Sequence, residues 1–305
     1  MLTLPDKWIW DFWIATDDDY HVFYLQAPRS LGDPHLRHRS ATVGHAVSSD
    51  LRDWRVLPDA LQQGQPGSWD DIATWTGSII RRDAVWYLFY TGTSHREDGR
   101  IQRIGLATSN DLTTWQRHGA QPLIEADDRW YETGTTHWPE EAWRDPWVFE
   151  ADGTYHALVT ARSNHGPPDG RGVIGHATSD DLLTWDVQPP LSQPGEFGHL
   201  EVPQVVDVGG ECLLVFSCDH NRISDQRRRR RGEADDAVYT VTTGNPLGPY
   251  EIRDAERSLP RGLYSGRLIE QPDHGLVWLA FIDHDPDGTF VGALSDPIPY
   301  PWEDT

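Results

Sequence analysis

Three acids in this chain stand at the mouths of apolar runs. Asp11 lies in Trp10-Asp11-Phe12-Trp13, Asp145 in Arg144-Asp145-Pro146-Trp147, and Glu201 in Leu200-Glu201-Val202-Pro203. A carboxylate beside an arginine is ordinarily a solvated ion pair, so none of the three carries weight alone. Brought together among tryptophans they suit one chemistry, the cleavage of a glycosidic bond. One acid protonates the leaving oxygen, a second attacks the sugar or activates water, and flat indoles receive the C–H face of the ring. That chemistry needs acids far apart in sequence to converge, so the elements that carry them decide the matter.

Those elements repeat. Gly44-His45-Ala46-Val47-Ser48-Ser49-Asp50-Leu51-Arg52-Asp53-Trp54 returns from Gly105 to Trp115 and again from Gly175 to Trp185, with Asp six residues after Gly and Trp four after Asp. A looser copy spans Val241 to Tyr250, and a clipped one spans Gly292 to Pro297. Each copy reads as a strand, a turn built on Ser, Asn and Asp, and a second strand holding an aromatic. A further hairpin precedes each copy, its second strand an apolar run: His21–Gln26, Val85–Tyr90, Tyr155–Thr160, Cys212–Ser217 and Leu276–Phe281. Two hairpins per unit and five units predict an all-β, five-bladed β-propeller with four antiparallel strands per blade, one catalytic domain over residues 1–305. The period is too long for a WD40 array.

Composition agrees. The 305 residues include 15 Trp, 27 Gly and 22 Pro against a single Met, a balance that suits sheets and tight turns over helices. The net charge of −22 repels nucleic acid and anionic membranes, so neither is expected as a partner; a neutral sugar is. No run approaches the length of a membrane span, and Met1 to Lys7 lacks a secretory pattern. The two cysteines, Cys212 and Cys218, read as free thiols on one strand, which points to a reducing, cytoplasmic location. Scattered histidines lack ligand spacing, so no metal and no cofactor is expected. The oligomeric state is left open.

In a propeller the innermost strands all begin on one face. Their starts are Trp8 to Trp13, Thr74 to Ser78, Arg144 to Pro146, His199 to Gln204 and Leu263 to Arg267, which places Asp11, Asp145 and Glu201 together at the axis. Pro146 suits the first residue of its strand. The connections between second and third strands share that face and bring His35, His38, His95, Arg96, His165 and His220-Asn221-Arg222 as rim candidates, His220 foremost. The long connection from Asp127 to Glu141 would wall the same pocket. The Ser-Asp-Leu turns fall on the opposite face and read as structural. Arg227 to Arg231 read first as a mobile loop balanced by its own acids, with a lid over the funnel as a further reading.

The set Trp10-Asp11-x-Trp13, Trp75-Thr76-Gly77-Ser78, Arg144-Asp145-Pro146 and Glu201-Val202-Pro203 resembles the levansucrase and invertase families of fructoside-active glycosidases. The resemblance implies Asp11 as nucleophile, Glu201 as general acid/base and Asp145 as stabiliser of the oxocarbenium-like state. It gives Arg144, Trp10, Trp75 and Ser78 to the fructosyl subsite, and we add Tyr264 and His220 as binding candidates. A retaining double displacement follows, with Glu201 kept protonated by its surroundings and the two carboxyls about 5–5.5 Å apart. The chain departs from both patterns: Ile14 stands where levansucrases have Pro, and Val202 matches neither family. No C-terminal β-sandwich of the kind invertases carry is expected. Two other readings stand beside this one: an inverting arabinofuranosidase, xylosidase or arabinanase on the same propeller, and a sugar-binding propeller without catalysis.

Overall fold

The computed structural model describes residues 1–272 and 275–301. It is a ring of five four-stranded sheets. Blade one is β1 (Lys7–Thr16), β2 (Tyr20–Pro28), β3 (Thr42–Ser48) and β4 (Arg55–Leu61). Blade two is β5 (Ala73–Arg82), β6 (Val85–Thr93), β7 (Arg103–Ser109) and β8 (Gln116–Arg117). Blade three is β9 (Trp143–Ala151), β10 (Thr154–Arg162), β11 (Gly172–Ser179) and β12 (Asp186–Gln188). Blade four is β13 (Glu201–Val208), β14 (Glu211–Cys218), β15 (Ala237–Thr243) and β16 (Glu256–Arg257). Blade five is β17 (Leu263–Gln271), β18 (Gly275–His284), β19 (Phe290–Leu294) and β20 (Ile298–Pro299). First strands touch around the ring, β1 on β5, β5 on β9, β9 on β13, β13 on β17 and β17 on β1, so they surround the axis.

The repeated turns do the structural work expected of them. Asp50, Asp111 and Asp181 each accept the main-chain N–H groups two and three residues on. The leucine after each acid takes a left-handed φ of 58–68° and is fully buried. The tryptophans sit just ahead of the fourth strands rather than within them. There they wedge blades together: Trp115 meets Phe23 of blade one edge-on, and Trp185 meets Phe89 of blade two. Edge-to-face pairs of this kind add about 0.5–1.5 kcal/mol beyond area burial.

Blade five departs from the expected double hairpin. β20 returns to β18, at Val277 and Trp278, instead of pairing with β19. Ser295-Asp296-Pro297 lacks the Asp-Leu corner that reverses the chain elsewhere, so the chain runs on along the same edge. The free edge of β19 is taken by Leu2, which exchanges hydrogen bonds with Leu294 in both directions at 3.1 and 3.0 Å.

Arg227 to Arg231 are not a loose loop. They form helix α1 (Asp225–Arg231), capped by Ser224, whose hydroxyl accepts the Arg227 N–H, and closed by Gly232 at φ 69°. Arg227 is fully buried, paired with Glu196 and Glu233, and lies over the rings of Phe197 and Tyr239. Burial of one guanidinium among two acids and two aromatics is what orders the segment. Cys212 and Cys218 are free and share β14, as expected. No helix among the described residues is long and apolar enough to cross a membrane.

Candidate active site

Each inner strand carries one extra residue at the same height. Trp10 pairs with Leu25 but Phe12 with Tyr24; Trp75 pairs with Thr91 but Gly77 with Tyr90. The same slip occurs between Arg144 and Trp147, between Glu201 and Gln204, and between Tyr264 and Arg267. These are five equivalent β-bulges, and a bulge re-aims side chains. They sort the site into two rings. Trp10, Trp75, Arg144, Glu201 and Tyr264 stand nearer the mouth; Asp11, Thr76, Asp145, Val202 and Ser265 stand one residue deeper. Asp11 and Asp145 are therefore equivalent, whereas Glu201 belongs to the ring above them.

Pro146 is not the first residue of its strand. β9 starts three residues earlier, and Pro146 occupies the bulge, where no ladder N–H is required. Asp145 takes φ 56°, Val202 φ 54° and Ser265 φ 47°. Left-handed backbone at such residues costs on the order of 1–3 kcal/mol each and persists only when neighbours fix it. Each of the three N–H groups is fixed by the preceding blade. Asp145 donates to Thr91 Oγ1 at 3.0 Å, Val202 to Asp145 Oδ2 at 3.2 Å, and Ser265 to Ser217 Oγ at 3.0 Å.

The two rings, Ser265 apart, line a cavity of about 430 Å³ together with Arg37, His38, Glu140, His199, Asp219, Arg222, Asp236 and Asp283. Both oxygens of Asp11 are held: Oδ1 accepts from Ser265 Oγ and Oδ2 from Thr76 Oγ1 at 3.2 Å. Asp145 Oδ2 accepts from Thr160 Oγ1 at 2.9 Å and lies 3.4 Å from Arg144 Nε. Glu201 Oε1 accepts from Arg144 Nη2 at 2.5 Å, and Oε2 from the Tyr264 hydroxyl. Arg144 also donates to Gln102 at 3.0 Å and to Glu140 at 3.3 Å. The acids are thus not unpaired, as their convergence alone implied; one buried guanidinium joins Glu201, Asp145 and Glu140.

The charges settle unequally. Burial lifts Asp11 above its usual range; the Ser265 bond opposes this and the charge of Glu201 adds to it. Burial lifts Asp145 to about 7 despite the pull of Arg144, with the charges of Asp11 and Glu201 adding to the rise. Burial also works to raise Glu201, but His199, Arg144 and Tyr264 overcome it and hold the carboxyl well below its ordinary value. The expectation that its surroundings keep Glu201 protonated therefore fails. A carboxylate 2.5 Å from a buried guanidinium is ionised.

Trp10, Trp75, Arg144 and Tyr264 lie in the cavity wall with the three acids. Ser78 does not: it sits two residues past the bulge, buried, and its Oγ accepts the Val148 N–H at 2.9 Å, pinning blade two to blade three. His220 is exposed and outside the cavity; Asp236 takes its Nδ1 at 2.7 Å, and Arg222 and Asp219 hold the places facing inward. His38 is the other rim candidate that reaches the wall, while His35, His95, Arg96 and His165 stay clear of it. Glu140, from the long connection, walls the pocket as expected. Thr76 and Ser265 went unread, although their columns under Asp11 and Asp145 would have found them. Among the described residues Asp219, His220 and Asp236 bring ligand atoms within 4.8 Å of one another, but Asp219 accepts the Asn221 N–H and Asp236 binds His220, so these oxygens are engaged.

Residues 5–246 match the family model described as the glycosyl hydrolases family 32 N-terminal domain. The chain belongs to glycosyl hydrolase family 32. A sucrose-6-phosphate hydrolase of Bacillus subtilis is 29% identical over 206 residues, 65% of this chain and 38% of that protein. A bifunctional 6(G)-fructosyltransferase/2,1-fructan:2,1-fructan 1-fructosyltransferase of Allium cepa is 32% identical over 251 residues, 75% of this chain and 37% of that protein. The chain thus spans less than two-fifths of these relatives' length. An inulosucrase of Halalkalicoccus jeotgali, solved bound to kestose, superposes with a TM-score of 0.71 at 22% identity, over 94% of this chain and 79% of its own; it shares the fold. Membership of family 32 agrees with the fructoside resemblance and disfavours the pentosidase reading.

Proposed function

We propose that the chain cleaves β-fructofuranosides by a retaining double displacement and passes the fructosyl group to water or to a second sugar. The observation that carries this reading is that Asp11 and Glu201 come from opposite sides of one tryptophan-lined cavity with Arg144 and Asp145 between them. Asp11, with both oxygens fixed, attacks the anomeric carbon. Glu201 protonates the leaving oxygen and then deprotonates the acceptor. Asp145 and Arg144 grip the ring hydroxyls as positive charge develops. Glu201 must first gain a proton. Sugar hydroxyls that occupy Arg144 weaken the ion pair, and burial then favours the protonated acid. Two free thiols, one fully buried, support a cytoplasmic setting.

Incubation with sucrose, levan and inulin, followed by product analysis, tests the reading. Release or transfer of fructose with retained configuration is expected, and Asp11→Ala abolishes it. Inverted product, pentose release from nitrophenyl glycosides, or an Asp11→Ala variant with undiminished turnover defeats the mechanism.

A further inference from the structure

Arg267 is a buried cation that the mechanism above leaves unused. It lies on β17, two residues past the Ser265 bulge, is 2% exposed, and is absent from the cavity wall. Its Nη1 donates to the carbonyl of Pro203 at 2.6 Å and its Nε to that of Phe12 at 3.4 Å. Pro203 lies in the bulge of blade four, and Phe12 follows that of blade one. Its guanidinium lies 5.1 Å from the ring centroid of Trp147, on blade three. The side chain thus occupies the axis one layer below Asp11 and Asp145. Its Nη2 is buried and has no hydrogen-bond partner. A buried guanidinium in such a place costs several kcal/mol unless nearby groups offset it.

We propose that Arg267 is a positioning residue for the reaction proposed above: from beneath the bulge ring, its guanidinium supplies a fixed positive charge that draws Asp11 and Asp145 toward the ionised form against the burial that lifts them. The acids it faces favour its charge, Asp145 first and Asp11 second, and although burial depresses it to about 10 it stays cationic at neutral pH. The other charges around Asp11 and Asp145 all stand on the cavity side. Glu201 repels both acids, Arg37 attracts Asp11, Arg144 attracts Asp145, and the two aspartates repel each other. Arg144 is shared among three carboxylates and is the group a sugar engages, and Arg37 is within the sugar's reach. Arg267 alone of these cations is sealed from substrate, so its field persists through the reaction cycle. It also stays a layer away from the carbon where positive charge develops.

The test compares wild type with Arg267→Lys and Arg267→Met. In Arg267→Met the acid limb of kcat/KM should move up by about one pH unit, the effect of removing a nearby opposite charge. Activity then falls about tenfold at the acid end relative to neutral pH. Arg267→Lys should restore the limb. A plug that only fills space would lower Tm in both variants and leave the limb in place, which overturns the proposal. A second readout needs no turnover: carbon-13 titration of the aspartate carboxyls, assigned with Asp11→Asn and Asp145→Asn. Shifted titration in Arg267→Met without fructoside activity in wild type defeats the functional reading and keeps this one. Unshifted titration defeats this one, whatever the activity.

Discussion

Arg144 is the charge on which the acids of the mouth depend, yet Asp145 beside it still sits near neutrality. Its carboxyl rises from 3.8 to about 7 on folding. The folded protein therefore holds a proton that the unfolded chain releases between those values, and stability falls as pH rises through that window. Asp145→Asn keeps the shape and removes the buried charge. The variant should lose roughly a hundred- to thousandfold in kcat and melt at a higher temperature than wild type at pH 8. That gain should shrink as pH falls toward 4. Equal melting temperatures at pH 8 would show that Arg144 compensates Asp145 fully. At this scale the sequence is legible where a residue type announces itself, as Asp11 and Asp145 do. Glu201's ionisation was not legible, because it follows from His199, Arg144 and Tyr264, whose side chains meet it only in the fold.

At the scale of the element, the bulges matter more than the strands. Thr91 is apolar in all but its hydroxyl, and that hydroxyl holds the left-handed turn at Asp145. Thr91→Val leaves a buried N–H without a partner, which costs about 1–3 kcal/mol. Both kcat and the urea midpoint should fall; an unchanged midpoint would mean the bulge holds itself. Helix α1 depends likewise on a single side chain. Replacing Arg227 with Ala takes the buried cation from between Glu196, left with Arg230, and Glu233, left with the Tyr239 hydroxyl, and should destabilise the protein by about 3–5 kcal/mol in denaturant titration. Loss below 1 kcal/mol would mean that the helix is dispensable to the fold. Neither feature is visible in sequence. A run of five arginines has no periodicity to show which one turns inward, and a bulge follows from strand register, which no spacing reveals.

For the whole molecule the repeat was the legible signal, because a turn with fixed offsets recurs wherever a blade must reverse. What joins blade to blade was hidden, since those bonds connect residues with no sequence relation. Two histidine pairs within blades one and three suggest a response to acid. His45 and His176 lie in β3 and β11 and contact His21 and His156 at 2.9 and 3.0 Å. Burial, with a histidine neighbour adding to it, lowers His45 to about 3 and His176 to about 4. Both rings stay neutral in the fold while the unfolded chain takes protons below about 6.5, so stability is lost as pH falls from 6.5 toward 4. Urea titration at pH 7 and pH 5 should show the drop, and His45→Gln with His176→Gln should flatten it. An unchanged slope would assign the acid response elsewhere. The net charge of −22, with Asp219, Asp236 and Asp283 in the cavity wall, also bears on substrate. Sucrose should be turned over with a higher kcat/KM than its 6-phosphate, although a hydrolase of that phosphate is among the relatives. The reverse order would mean that Arg37 and Arg222 outweigh the rim acids.

The five bulges give this scaffold a way to change. Each offers one address at the same depth, filled in this chain by Asp11, Thr76, Asp145, Val202 and Ser265. A single codon at any of the first four alters what lines the cavity and leaves every ladder bond untouched. Lineages that share this ring can therefore diverge in reaction by small steps, while the distance between any two addresses stays set by the closure of the circle.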